Sequence, residues 1–217
     1  FSERNDYDKL INTYKKNIFE RSKILQQVNF DEDWINHIEK KISDIGQKIY
    51  QSRNTQLKIL NAHIHEINQS NNYNFEINFE IKDPFFDTQI TADKYALELK
   101  KTRDYDKKFG GLKIGPHKSD IIAHINNEFE ASQLSTGQQK TVVLLMLIAQ
   151  CNYLINMKNI EPILLLDEIG SHLDSHNRKI LQDLINHFGI QIFLTGTEKS
   201  LFSFISTNAN FYNITEL

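Results

Sequence analysis

One cysteine, Cys151, in 217 residues leaves no intrachain disulfide, as expected for a protein of a reducing cytoplasm. Long apolar runs are also missing. The longest, VVLLMLIA at 142 to 149, is too short to cross a bilayer and lies between Lys140 and Gln150, so no membrane span is expected. The opening FSERNDYDKL has three acids and no apolar centre, which excludes a signal or transit peptide and suggests that Phe1 is not a natural start. None of the eight glycines is followed by lysine, so the loop G-x-x-x-x-G-K-[ST] is absent. No internal repeat or low-complexity segment interrupts the chain. The net charge of -3 argues against indiscriminate nucleic-acid binding and leaves room for a local basic surface. What is present is ordinary: 40% hydrophobic and 24% charged residues, ample for a core in one or two domains.

Tyr7, Leu10, Tyr14, Ile18, Leu25 and Val28 recur at helical steps and predict an amphipathic helix over 7 to 28. After VNFDED the pattern returns at Trp34, Ile38, Ile42, Ile45 and Ile49, with Leu57, Leu60, Ile64 and Ile67 as an extension. Two long helices packed as an arm account for this, with Trp34 and the isoleucines as core. Alternation in NFEINFEIK at 74 to 82 predicts a half-buried strand closed by Asp83-Pro84. A helix from Thr91 to Thr102, a Gly110-Gly111 turn and short strands at LKIG and DIIAHI follow. The remainder alternates helix (137 to 156), strand (162 to 167), helix (176 to 188) and strand (190 to 195), the grammar of an α/β layer with parallel strands.

In PILLLDE the aliphatics are continuous, which predicts a strand buried on both faces and ending at Asp167 and Glu168. Ligands of open α/β sheets bind beyond the carboxyl ends of strands. A carboxylate there can hold Mg²⁺, and its neighbour can polarise an attacking water; the plainer alternative is a solvated acidic turn. QLSTGQQK at 133 to 140 opens the most apolar helix, and its free backbone N–H groups favour a phosphate, unless the segment is only a capped helix. Gly137 permits close approach, and Ser135 and Gln138 can add hydrogen bonds.

LSTGQ is similar to the signature of ABC-family ATPases, ILLLDE to their Walker B strand, and SHLD at 171 to 174 to their D-loop. Together with GPHKSD at 115 to 120, QIFLTGTE at 191 to 198 and the arm helices, these segments resemble the RecF family of recombination mediators across nearly the whole chain. The resemblance implies an α/β fold: the C-terminal lobe of an ABC-type ATPase head at 107 to 217, mostly parallel sheet with flanking helices, after a helical arm domain at 1 to 106. It implies a cytoplasmic DNA-repair ATPase that binds ATP and Mg²⁺ and closes into an ATP-dependent homodimer. It also implies action on gapped, single-stranded or junction DNA with RecO and RecR, and indirectly RecA, in replication, repair and the SOS response.

Carried over by position, Asp167 is the Mg²⁺-linked acid and Glu168 the catalytic base. Ser135, Thr136, Gly137 and Gln138 face the γ-phosphate of the other subunit, and Asp174 communicates across the dimer. Thr195 or Thr197 lies where many ABC proteins place a switch histidine, a departure compatible with slow hydrolysis. The phosphate-cradling half is expected upstream of Phe1, and these residues alone are not expected to hydrolyse ATP. FGGLKIGPHK superficially resembles a phosphate loop, but its glycines read more simply as a turn.

Lys100, Lys101, Arg103, Lys107, Lys108, Lys113 and Lys118 outnumber Asp104 and Asp106 and form a candidate DNA surface, against the alternative of solvated lysines. His117 either contacts DNA or the D-loop, or braces the turn after Pro116. His63 and His65 diverge on a helix and make poor metal ligands. Two other readings stay open: another ABC or SMC-like ATPase, RecN-type or a transporter subunit, and a non-catalytic interaction module. A transporter subunit does not usually insert an arm of about a hundred residues before its signature.

Overall fold

In a computed structural model, residues 2–71, 76–85, 90–167, 178, 179, 182, 190–205 and 209–214 are described. They group into two compact units, Phe1–Lys58 with Phe79–Ile122, and Ile59–Asn78 with Ala123–Leu217. This division does not coincide with the boundary at 106/107 expected from the motifs.

The first unit is mainly helical. Helix α1 spans Ser2–Leu25 and α2 spans Glu32–Asn71, a single 40-residue helix where the sequence suggested a core segment with an extension. Asp31 starts α2 by accepting from the backbone N–H groups of Asp33 and Trp34, at 2.9 and 3.1 Å, and Glu32 and Asp33 favour the positive end of the helix dipole. The predicted stripes meet in one core: Tyr14, Leu25, Ile38, Ile42 and Ile49 are buried, joined by Ile35, which the pattern did not include. Val28 and Trp34, both expected in it, face solvent instead. Val28 is 94% exposed because α1 ends at Leu25, and Trp34, in the first turn of α2, is 47% exposed.

Helix α3 spans Ala92–Lys101, capped by the Thr91 side chain on the N–H of Lys94, and α4 spans Arg103–Phe109. Tyr95 of α3 lies against Gly46 of α2, where any Cβ would run into the ring, so glycine inside this helix is set by close packing. Beneath α4 lies a buried polar cluster. Arg21 donates to Glu39 (2.9 Å), Asp106 (2.7 Å) and the Leu99 carbonyl (2.8 Å), and Asp106 also accepts from Thr102 and the backbone of Lys113. Each polar atom finds a partner, which is what makes such a cluster tolerable in a core.

Strand β1 spans Ile77–Lys82, with Ile77 and Phe79 buried as the alternation predicts, and β2 spans Asp120–Ile125. LKIG is not a strand. Gly115, at φ 125°, turns the chain there, and a Cβ on it would meet the hydroxyls of Tyr14 and Tyr95. β2 pairs antiparallel with β3, Phe129–Glu130, through Asn126 and Asn127, both left-handed, as a tight hairpin requires. The sheet order is β1-β2-β3.

In the second unit α5 spans Thr136–Lys158 and ends at Asn159 in a left-handed C-cap. By length and hydropathy alone it would suit a bilayer; one face, with Val142, Leu144, Leu145, Ile148, Ala149 and Cys151, is buried within the protein. Burial pushes the Cys151 thiol up from its ordinary pKa. Strand β4, Leu164–Leu166, pairs in parallel with β5, Ile192–Leu194, as the alternating grammar predicts. Residues 178, 179 and 182 are helical; the rest of the helix expected at 176 to 188 lies outside the described residues. Two-sided burial of ILLL does not hold: Leu164 and Leu166 are buried, whereas Leu165 is 71% exposed beside Phe193, its register partner, at 50%.

Candidate functional site

Ser135 ends the extended segment before α5, and its side chain and that of Gln138 form a reciprocal capping box. Ser135 Oγ accepts from the Gln138 N–H at 3.4 Å, and Gln138 Oε1 accepts from the Ser135 N–H at 3.1 Å. Ser135, Thr136 and Gln138 are exposed and Gly137 half-buried, so the signature-like segment is the outward tip of a helix and not part of its own core. Gly137 has ordinary helical backbone, and a Cβ built on it meets nothing within 4 Å. Among the described residues, packing does not account for glycine here. The space it leaves open faces outward, at the positive end of a helix.

Asp167 follows the last residue of β4 and is exposed. Thr195, one residue beyond β5, bonds back through its N–H to the Leu166 carbonyl at 3.1 Å, and its hydroxyl donates to Asp167 Oδ1. Parallel pairing of β4 and β5 thus brings together two predicted residues separated by 28 positions. The Asp167 carboxylate is not in an ion pair among the described residues and keeps acceptor capacity beside the threonine hydroxyl. Hard oxygen donors of this kind fit Mg²⁺, which takes one or two protein oxygens and completes its shell with water and phosphate. No cluster of three or more His, Cys, Asp or Glu stands ready as a metal cage among the described residues. Glu168 and Asp174 lie outside the described residues.

The predicted cationic surface divides. Arg103 is 8% exposed and turned inward: Nη2 donates to Glu39 (2.6 Å) and Asn36 (2.6 Å), Nη1 to Glu32 (2.8 Å) and Nε to Glu39 (3.0 Å). Burial alone would lower its pKa, but the bonds and charges of Glu39 and Glu32 outweigh that and raise it. Arg103 is a core cation and leaves the list of DNA contacts. Lys101 is paired with Glu98 at 2.6 Å. Lys100, Lys107, Lys108, Lys113 and Lys118 are exposed, and with Asp106 buried against Arg21, Asp104 is the exposed acid within this stretch.

The GPHK loop is held by Tyr14 and His117 together with Arg53 and Tyr95, which the sequence did not single out. Arg53 donates to the Pro116 carbonyl, and Tyr14 OH lies 2.7 Å from Tyr95 OH and 3.3 Å from His117 Nδ1. His117 Nε2 reaches the Leu112 carbonyl at 3.1 Å, so the ring braces the turn, and burial lowers its pKa. Tyr50 and Ser119 both donate to Asp83, and burial pushes the Tyr14, Tyr50 and Tyr95 phenols above their ordinary range. Long-range packing brings Tyr14, Arg53 and Tyr95 to this loop, whereas the bracing contact of His117 to Leu112 is local.

Residues 3–216 match the family model for the RecF/RecN/SMC N-terminal domain. DNA replication and repair protein RecF of Rhizobium etli (strain CIAT 652) is 32% identical over 203 residues, covering 90% of this chain and 54% of the relative. RecF of Agrobacterium fabrum is 32% identical over 208 residues, covering 93% and 55%. The chain thus spans about half the length of these curated relatives. A solved structure of the recombination mediator protein RecF with ATP superposes with a TM-score of 0.75 over 90% of the chain at 22% identity, which shows a shared fold. The α/β architecture expected from the signature and Walker B-like segments is therefore present, and the chain belongs to the RecF/RecN/SMC N-terminal domain family.

Proposed function

We propose that the chain is the signature-bearing part of a RecF-type DNA repair and recombination mediator, an ATP-dependent, dimerising DNA-binding protein of the cytoplasm. The observation that carries this reading is the outward tip of α5, whose glycine packs against nothing among the described residues. Ser135, Thr136, Gly137 and Gln138 would meet the terminal phosphate of ATP held by a second copy. Asp167 would hold Mg²⁺ with Thr195 orienting its carboxylate, Glu168 would act as general base, and Asp174 would couple the two copies. The names of the relatives and the ATP in the superposed RecF structure support the nucleotide and the repair role.

Because no P-loop occurs in the 217 residues, ATP binding by the whole protein requires a P-loop from residues outside them, and weak hydrolysis is the expected activity. Lys100, Lys107, Lys108, Lys113 and Lys118 would contact phosphates at gaps and single-strand/double-strand junctions, with RecO and RecR as partners in loading RecA. The test uses the polypeptide as the cell expresses it, with ATP, Mg²⁺ and gapped DNA. Ser135→Arg should abolish ATP-dependent dimers in sedimentation, and Glu168→Gln should accumulate them. Absence of a shift of gapped DNA by the unaltered protein would remove the repair reading.

A further inference from the structure

The cationic surface carries a feature that phosphate contacts do not explain. Tyr105 and Phe109, four apart on α4, share one face, with ring centroids 4.6 Å apart and planes at 38°. Both are open to solvent, Phe109 at 63% and Tyr105 at 44%. Each ring has a lysine over it: Lys113 Nζ lies 4.7 Å from the Tyr105 centroid and Lys108 Nζ 5.3 Å from that of Phe109. Beyond Phe109 the chain turns away through Gly110 and Gly111, both at positive φ, with nothing within 4 Å of where their Cβ atoms would be. The rim of the aromatic pair is left open.

We propose that Tyr105 and Phe109 form a stacking platform for unpaired bases of single-stranded nucleic acid, with Lys108 and Lys113 moving from the ring faces to the flanking phosphates. This rests on the DNA-binding reading above and adds to it the two residues that would meet bases. Every base has an apolar face that stacks on an aromatic ring, and such stacking outweighs an exposed cation–π contact, so the exchange of lysine for base is downhill. The released ammonium groups then neutralise the backbone that carries the base. A protein partner fits less well, since the buried centres of protein interfaces are depleted in lysine, and here a lysine covers each ring. A duplex fits less well because its bases are already stacked.

The experiment compares three fluorescent probes with the full chain, in ATP and Mg²⁺: oligo(dT) of about 16 nucleotides, an abasic strand of equal length, and a duplex. The unaltered chain should bind oligo(dT) about tenfold more tightly than the abasic strand, equivalent to about 1.4 kcal/mol. Phe109→Ala and Tyr105→Ala should each erase most of that preference and leave the abasic strand unchanged; Phe109→Trp should keep it. Lys108→Gln should weaken both strands together. Equal affinity of the unaltered chain for oligo(dT) and the abasic strand would overturn the platform while leaving DNA binding intact. If no probe binds, the DNA reading falls with it. If Phe109→Ala instead dissolves self-association in sedimentation, the pair is a protein contact and the platform is wrong.

Discussion

Glu39→Gln should be among the most damaging conservative substitutions in the first unit. Glu39 is 2% exposed and receives three bonds from two guanidinium groups: Oε1 from Arg21 Nε and Arg103 Nε, and Oε2 from Arg103 Nη2 at 2.6 Å. A glutamine has the same shape but one acceptor oxygen, so its NH₂ must oppose a guanidinium N–H, and two buried cations lose their shared counter-charge. Removing one partner of a buried pair costs about 3–5 kcal/mol, a large share of the roughly 5–15 kcal/mol that holds a domain folded. With a urea dependence of about 2 kcal/mol per molar, the midpoint should fall by about 1.5–2.5 M. Trp34 is the single tryptophan and belongs to the first unit, so its emission reports that unit's unfolding. In a double-mutant cycle with Arg103→Gln the coupling should exceed about 1 kcal/mol. A midpoint shift under about 0.5 M, or additive effects in the cycle, would show that the cluster is hydrated and not the closed network described here.

The same geometry separates Arg103 from its lysine neighbours: Arg103→Gln should lower the urea midpoint and leave the salt dependence of DNA binding unchanged, whereas Lys108→Gln should reduce the logarithmic salt slope by about 0.7–0.9 and leave stability alone. Gly137→Ala should leave thermal unfolding unchanged or slightly raised, because no described residue obstructs the methyl group, yet lower ATP-dependent dimerisation of the complete protein. Partial burial of the His117 ring lowers its pKa from the ordinary 6.5. The unfolded chain therefore takes up the proton first, so stability is complete above about 6.5 and is lost as pH falls toward the lowered folded value. Melting temperature should fall as pH drops below about 6.5, and His117→Gln should flatten the fall.

Where one dimension of periodicity determines the outcome, the sequence was sufficient. The isoleucines of α2, the alternation of β1 and the Ser135 cap follow from patterns local to each segment, and the parallel β4/β5 pair from the alternation of strand and helix. Arg103 shows where that stops. Its neighbours are lysines, and only the fold brings Glu39, from 64 residues away, beneath it. Its fork of five donors can satisfy Glu39, Glu32 and Asn36 at once, which a lysine in the same place could not do. The tyrosines around Gly115 were illegible for the same reason: Tyr14 and Tyr95 are 81 residues apart, and a phenol in a helical stripe looks like any other core aromatic until its hydroxyl finds a partner.

The aliphatic run before Asp167 poses the subtler case. Continuous ILLL predicts cover on both faces because strands of parallel sheets are sandwiched by other layers. The structure gives Leu164 and Leu166 that cover and withholds it from Leu165 and Phe193, which sit side by side in register with their side chains in water. Ile163, just before β4, is exposed as well, at 61%. Aliphatic and aromatic side chains lined up on one face of a parallel pair lose about 25 cal/mol for each Å² left wet, so a solvent-facing strand would be expected to carry polar residues at alternate positions. The sequence instead encodes a strand with two apolar faces, and no second cover occurs among the described residues. The pattern therefore describes a surface that these elements do not complete, in the same part of the fold where Asp167 and Thr195 meet.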